Sequence, residues 1–212
     1  MLTLYDYLPS QNAYKVRLLL NHLDRPYRTE MISIFEGEGR QEWYLAISPT
    51  GTVPAIKLEH GQTLAESNAI LTFLAEGTQY IPDDPFGRAK VLQWLFFEAD
   101  YVQATIATLR YWVLTNKCEK RPPELVKSKK DASLRTLAIL DRQLATEPFL
   151  AGERYTVADM SIYAYVHLAA DAELPLLSYS NVSNWIARVQ SQDGFLRKTY
   201  PYSIDPNATG EL

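Results

Sequence analysis

Cysteine is almost absent from this sequence of 212 residues, Cys118 being the single one. One thiol excludes an intrachain disulfide, a Cys-x-x-Cys redox pair and a thiol-rich metal site. Histidine is nearly as scarce. His22, His60 and His167 are too scattered to suggest a zinc set; neither a metal nor any other cofactor is expected. Positive charge is not concentrated either: 25 Asp and Glu outweigh 21 Lys and Arg, for a net charge of -4, and the densest basic stretch is Lys127, Lys129 and Lys130. Nucleic acid is therefore not an expected partner. Met1 to Pro9 contains no basic segment followed by an apolar one, and no later apolar run reaches the ~18 positions of a membrane span. A cytoplasmic protein without a membrane partner is the expectation.

Material for a core is plentiful, with 47% apolar residues, enough for one large domain or two small ones. Leu2 to Tyr5 reads as a short strand, and Pro9-Ser10-Gln11-Asn12 as a turn into a helix. On that helix Val16, Leu19, Leu20 and Leu23 share one face, with Lys15, Arg17 and Asn21 turned away. Pro26 stops it, and Tyr27 to Ile34 offers a second strand. After a loop at Glu36 to Arg40 and a short helix near Gln41 to Ala46, Ala55 to Leu58 and Thr63-Leu64 flank His60-Gly61 as a hairpin. A helix from about Ser67 to Glu76 follows, with Ile70, Leu71 and Leu74 on one face. The Gly-, Pro- and Asp-rich stretch after it reads as a linker. These readings divide the chain into an α/β domain at 1–77, a linker at 78–85 and an all-helical domain at 86–212.

In the second half Leu92, Leu95, Phe96, Ala99, Val102, Ile106, Leu109 and Val113 mark one long helix. Pro122-Pro123 restarts a second, carried by Leu134, Leu137, Leu140 and Leu144, and the whole reads as a helical bundle. In Tyr155-Thr156-Val157-Ala158-Asp159-Met160, Thr156 and Asp159 have the spacing of a capping box, flanked by Tyr155 and Met160 as a hydrophobic staple. This carboxylate reads as a structural cap.

A β-α-β unit, hairpin and helix joined to a helical bundle, with Ser48-Pro49-Thr50-Gly51-Thr52-Val53-Pro54 before the third strand, resembles the cytosolic glutathione transferases over nearly the whole chain. The resemblance implies a thioredoxin-like glutathione-binding domain followed by an all-α domain. It implies a cis bond before Pro54, leaving the backbone of Val53 to pair with the cysteinyl part of glutathione as an added strand does. Glu66-Ser67 matches the pair that holds the γ-glutamyl end, although in isolation the two read as ordinary caps. Ser10-Gln11-Asn12-Ala13-Tyr14-Lys15-Val16-Arg17 resembles the first-helix segment of the serine-type and related bacterial classes.

The chemistry asks for such a segment. A free thiol has a pKa near ~8.5, and lowering it by about two units takes roughly 2.7 kcal/mol of preference for the anion. A hydroxyl and a helix N-terminus supply that order of energy. Ser10 is the expected donor to the glutathione sulfur, with Asn12 beside it and Tyr7 as the rival hydroxyl. Cys118, in the helical half, reads as an uninvolved thiol. Relatives often place a lysine before the cis-proline for the glycyl carboxylate. Here Gly51 and Thr52 occupy that place, leaving Thr52 with Arg40 and Gln41 as substitutes.

The resemblance places the second substrate, a small hydrophobic electrophile, between the domains, with Tyr101, Thr105, Leu109, Arg110 and Trp112 in the corresponding stretch. It also implies a homodimer, with Glu98 and Asp100 on the face available to a partner, and a role in detoxification. Two further readings stay open: glutathione-dependent disulfide or peroxide reduction, and a transferase-like binding protein without catalysis.

Overall fold

A computed structural model of the chain describes residues 1–210. It separates into two compact units, Met1–Glu76 with the segment from Asp193 onward, and Gly77–Gln192.

In the first unit β1 (Leu2–Asp6), α1 (Gln11–His22) and β2 (Tyr27–Met31) form a βαβ crossover. After α2 (Glu42–Leu45), the strands β3 (Ala55–Lys57) and β4 (Thr63–Ala65) make the hairpin, and α3 (Ser67–Ala75) follows. The sheet order is β2-β1-β3-β4, with β1 parallel to β2 and antiparallel to β3. Register is set through the centre, where Leu4 lies opposite Thr29 on one side and Ile56 on the other. Leu4 and Ile56 are fully buried, as are Val16, Leu19 and Leu20 of α1 and Ile70 and Leu71 of α3. One face of this small sheet is thus covered by apolar stripes at helical spacing.

Two expectations for α1 are corrected. Lys15 and Arg17 do not point to solvent: Lys15 is 0% exposed and Arg17 5%. Each buried charge is matched by a polar group brought from elsewhere, Ser67 for Lys15 and Asp6 for Arg17. The second difference concerns the chain end. An all-helical domain was expected to run to 212, whereas the chain from Asp193 belongs with the first unit. There it follows α1: Asn21 Nδ2 donates to Gly194 O at 2.7 Å and Tyr14 Oη to Leu196 O at 2.6 Å. Beyond them the Arg17 guanidinium stands 5.8 Å from the centre of the Tyr200 ring.

The second unit is helical. Asp84 caps α4 (Pro85–Phe97), accepting from Gly87 N at 2.7 Å, with Pro85 at the first helical position. The expected linker thus ends inside a helix, and Tyr80 and Ile81 before it are buried. The helix then widens into π turns over Glu98–Ala107, where the Thr108 N–H reaches back to Gln103 O, before narrowing to α5 (Thr108–Leu114). Leu95, Val102, Ile106 and Leu109 are buried as the apolar spacing predicts, but Leu92, Phe96 and Ala99 are exposed. The buried face runs through Val91, Leu95, Glu98 and Val102 at ordinary helical spacing, so Glu98 lies inward, where its Oε2 accepts from Gln103 Nε2 at 2.9 Å. Glu98 is therefore not on a partner-facing surface, while Asp100 is exposed.

The bundle is completed by α6 (Pro123–Gln143), α7 (Val157–Val166) and α8 (Ser180–Gln190). The capping box of α7 is present, with Asp159 Oδ2 accepting from Thr156 N at 3.0 Å. Among the described residues no helix is long and apolar enough to cross a membrane.

Candidate functional site

Ser10 is the N-cap of α1: its backbone is extended, and its Oγ accepts from Ala13 N at 3.2 Å. A hydroxyl oxygen used as an acceptor still has its proton to give. Behind it lies a helix of 12 residues whose N-terminal end carries partial positive charge. Tyr7, the rival, is differently committed. It is 5% exposed, and its single O–H donates to Asp205 Oδ2 at 2.9 Å.

Asn12 and Ser67 are brought together. Ser67 Oγ donates to Asn12 Oδ1 at 3.5 Å, the long limit of a hydrogen bond, and accepts from Lys15 Nζ at 3.3 Å. A buried ammonium group thus stands behind the Glu66-Ser67 pair, a feature that the helical spacing of α1 did not reveal. Glu66 precedes α3 with a φ of 70°, and its side chain makes no cap bond to that helix. This removes the ordinary capping reading for Glu66. The carboxylate is exposed instead, beside the first turn of α3.

The Val53–Pro54 bond is cis. The N–H and C=O of Val53 enter no hydrogen bond among the described residues, whereas Thr52 O just before accepts from Tyr44 Oη at 2.8 Å and Ser48 Oγ at 2.9 Å. The segment before Val53 is thereby fixed and the next backbone pair left available. Gly51 contributes in another way: φ is +68°, and a Cβ there would collide with the carbonyl oxygen of Gly39, as one on Gly39 would with that of Gly51. Gly61 in the hairpin also has positive φ, but a Cβ there would meet nothing. Gly51→Ala is expected to cost about 2–3 kcal/mol in denaturant unfolding against about 1 kcal/mol for Gly61→Ala, the difference being the collision. Equal costs would show that the loop yields. Arg40 and Gln41 are exposed at the start of α2, and Gln41 makes no side-chain cap bond.

In the helical unit the expected pocket residues separate. Leu109 is 1% exposed; Thr105 is buried, bonded to Tyr101 O and Thr136 Oγ1. Arg110 is buried and paired with Asp171 at 2.9 Å. Tyr101 is half-exposed and stacks on Phe97, and Trp112 keeps some surface under the Arg121 and Lys129 cations. Burial pushes the Cys118 thiol up, the opposite of what an activated thiol needs. Burial likewise lowers His167 to about 4; its ring stacks on Tyr163 and its Nδ1 meets Tyr163 O at 2.6 Å. No group of His, Cys, Asp and Glu suited to a metal occurs among the described residues.

A β-α-β, hairpin, helix unit with a cis-proline, a capped helix aimed at the site and a helical second unit define a glutathione-transferase-like protein. The family descriptions that match are the glutathione S-transferase N-terminal domain, over residues 9–76, and C-terminal domain, over 123–188. A glutathione S-transferase structure from Pseudomonas fluorescens is 38% identical, with a TM-score of 0.89, covering 92% of this chain and 97% of that one. A glutathione transferase structure from Pseudomonas putida with one glutathione disulfide bound per subunit is 25% identical, with a TM-score of 0.80 and coverage of 91% and 88%. Among curated proteins, the disulfide-bond oxidoreductase YfcG of Escherichia coli is 28% identical over 200 residues, 91% of each chain. The chain belongs to the glutathione S-transferase family and is a glutathione transferase.

Proposed function

We propose that this chain holds glutathione as a thiolate at the N-terminus of α1, with Ser10 donating to sulfur, and transfers it to small hydrophobic electrophiles. The carrying observation is the division of labour between two hydroxyls. The Tyr7 proton is given to Asp205, while the Ser10 oxygen is pinned by the Ala13 amide with its proton uncommitted. Asn12 is the adjacent donor, its Oδ1 being engaged by Ser67. Glu66 and Ser67 take the γ-glutamyl end, the backbone of Val53 before Pro54 the cysteinyl amide, and Thr52 with Gln41 the glycyl carboxylate. Lys15 supports this arrangement by fixing Ser67 from behind. Of the helical-unit residues expected near the second substrate, Thr105 and Leu109 are buried, while Tyr101 and Trp112 keep accessible surface.

The test is Ser10→Ala with glutathione. Thiolate absorbance is expected to titrate about one to two pH units higher, and kcat/KM near neutrality to fall about 10- to 100-fold, each unit being worth about 1.4 kcal/mol. The deficit shrinks at high pH, where the thiol ionises unaided. Because Ser10 also caps α1, the variant should lose about 1 kcal/mol of stability; Ser10→Thr restores cap and donor together. An unchanged titration removes Ser10 from the mechanism.

Glutathione-dependent disulfide reduction is a second reading, favoured by the YfcG relative's name. A model disulfide assayed beside a model aryl halide separates the two. A homodimer is supported by the exposed apolar face of α4, where Phe86, Leu92 and Phe96 are 77%, 36% and 69% exposed. A cytoplasmic role in detoxification fits this activity.

A further inference from the structure

The segment that returns along α1 passes the turn that leads to Ser10, and its residues 204–207 build one wall of a cleft of ≈ 400 Å³. Tyr7 and Pro9 line it from the turn after β1, Phe35 from the loop after β2, and Ile204 from the returning segment. Size and lining suit a small aromatic or aliphatic molecule. The charges are unequal: Asp205 and Glu36 line the cleft, and the described lining residues include no Lys, Arg or His. Asp205 cannot swing aside freely, since Oδ2 accepts from Tyr7 Oη at 2.9 Å and Oδ1 from Asn207 N at 2.8 Å. The phenol that lost its claim to the sulfur thus holds a carboxylate in the wall.

We infer that this cleft receives the electrophile and selects by charge, accepting neutral and cationic molecules and rejecting anionic ones. The inference rests on the reading that glutathione sulfur lies at Ser10, the residue directly after the cleft wall at Pro9. An anionic electrophile entering there meets two like charges with no cation among the described lining residues, and repulsion of the wrong substrate is an effective source of specificity. The glutathione sulfur placed at Ser10 is itself an anion, which adds to the same bias.

Three chlorodinitrobenzenes differing only in a carboxamide, a carboxylate or a trimethylammoniomethyl group provide the test. Each kcat/KM is divided by the uncatalysed rate constant with glutathione, so intrinsic reactivity cancels. The carboxylate is expected to lie about tenfold or more below the carboxamide, as like charges several ångströms apart in a partly shielded site require. The cation should equal or exceed the carboxamide. Asp205→Asn keeps an acceptor for Tyr7 and removes the charge; it should raise the carboxylate-to-carboxamide ratio about fivefold. Glu36→Gln, at an exposed position that tolerates substitution, should raise it about twofold. A carboxylate used within twofold of the carboxamide by the unmodified protein overturns the inference, as does a ratio that neither variant moves. Thiolate absorbance is read in the same samples. A normal thiolate with undiscriminated electrophiles overturns the charge selection alone, whereas no thiolate and no turnover of any of the three overturns the glutathione reading with it.

Discussion

Asp159→Ala is expected to cost about 4 kcal/mol of unfolding free energy, measured by denaturant titration of the whole chain. The carboxylate is 0% exposed and collects donors from three places. Its Oδ1 accepts from Leu150 N at 2.9 Å and from Trp185 Nε1 at 2.9 Å; its Oδ2 accepts from Thr156 N at 3.0 Å and Thr156 Oγ1 at 3.2 Å. Alanine leaves the two amides and the indole buried with nothing to donate to, each worth about 1–3 kcal/mol and not fully additive. Against a domain's usual 5–15 kcal/mol this is a large share. Asparagine should recover little, because its amide nitrogen presents a donor to donors. A loss below about 1 kcal/mol would mean that the three segments hold together without the carboxylate.

The same carboxyl gives the effect a pH dependence. Burial pushes it up to about 6, against the pull of the Leu150 amide, the Trp185 indole and Thr156. Its folded value exceeds the unfolded one near ~3.9, so the folded state holds the proton more tightly between them. That contribution is full below about pH 4 and is lost as pH rises through about 6. The gap between the unmodified protein and Asp159→Ala should therefore widen by about 1–3 kcal/mol on going from pH 7 to pH 4. A gap that narrows instead would show the carboxylate, not the acid, to be the form the fold prefers.

This cap was legible in the sequence because it depends on four consecutive positions and one rule of helix starts. The same holds for the β-α-β order and the hairpin at Gly61, both carried by local patterns, whereas the cis bond before Pro54 was expected from the family resemblance. What escaped depends on partners distant in the chain. Helical spacing turns Lys15 and Arg17 outward until Ser67, 52 positions away, and Asp6, 11 away, are brought against them. The bond from Tyr7 to Asp205 spans 198 positions, and nothing near either residue announces it. The helix through Glu98 misled for another reason: apolar side chains at helical spacing, as at Leu92 and Phe96, stay exposed, while Glu98, on the face of Val91, Leu95 and Val102, is buried. The site followed the same division: its motifs were visible, but the commitment of the Tyr7 proton and the buried amine behind Ser67 were not.

Arg17→Met is expected to be the most damaging change in the first unit, at about 3–5 kcal/mol. Arg17 Nη1 donates to both oxygens of Asp6, at 3.1 and 2.9 Å, and Nη2 donates to Leu8 O at 2.9 Å. Asp6 is 0% exposed, and burial already raises its pKa against the guanidinium's pull. Methionine fills similar space and leaves that carboxylate buried with its charge uncompensated, which is the costly half of breaking an ion pair. Adding Asp6→Asn should therefore restore about half of the loss, a coupling read from a double-mutant cycle. The pair's placement gives a second readout. Leu8 O lies two residues before Ser10, so losing its donor loosens the turn that aims the hydroxyl, and Asp6→Asn cannot repair that contact. In the double variant stability should recover while the thiolate titration remains shifted upward. Recovery of both together would show that Arg17 acts on Ser10 only through the stability of the fold.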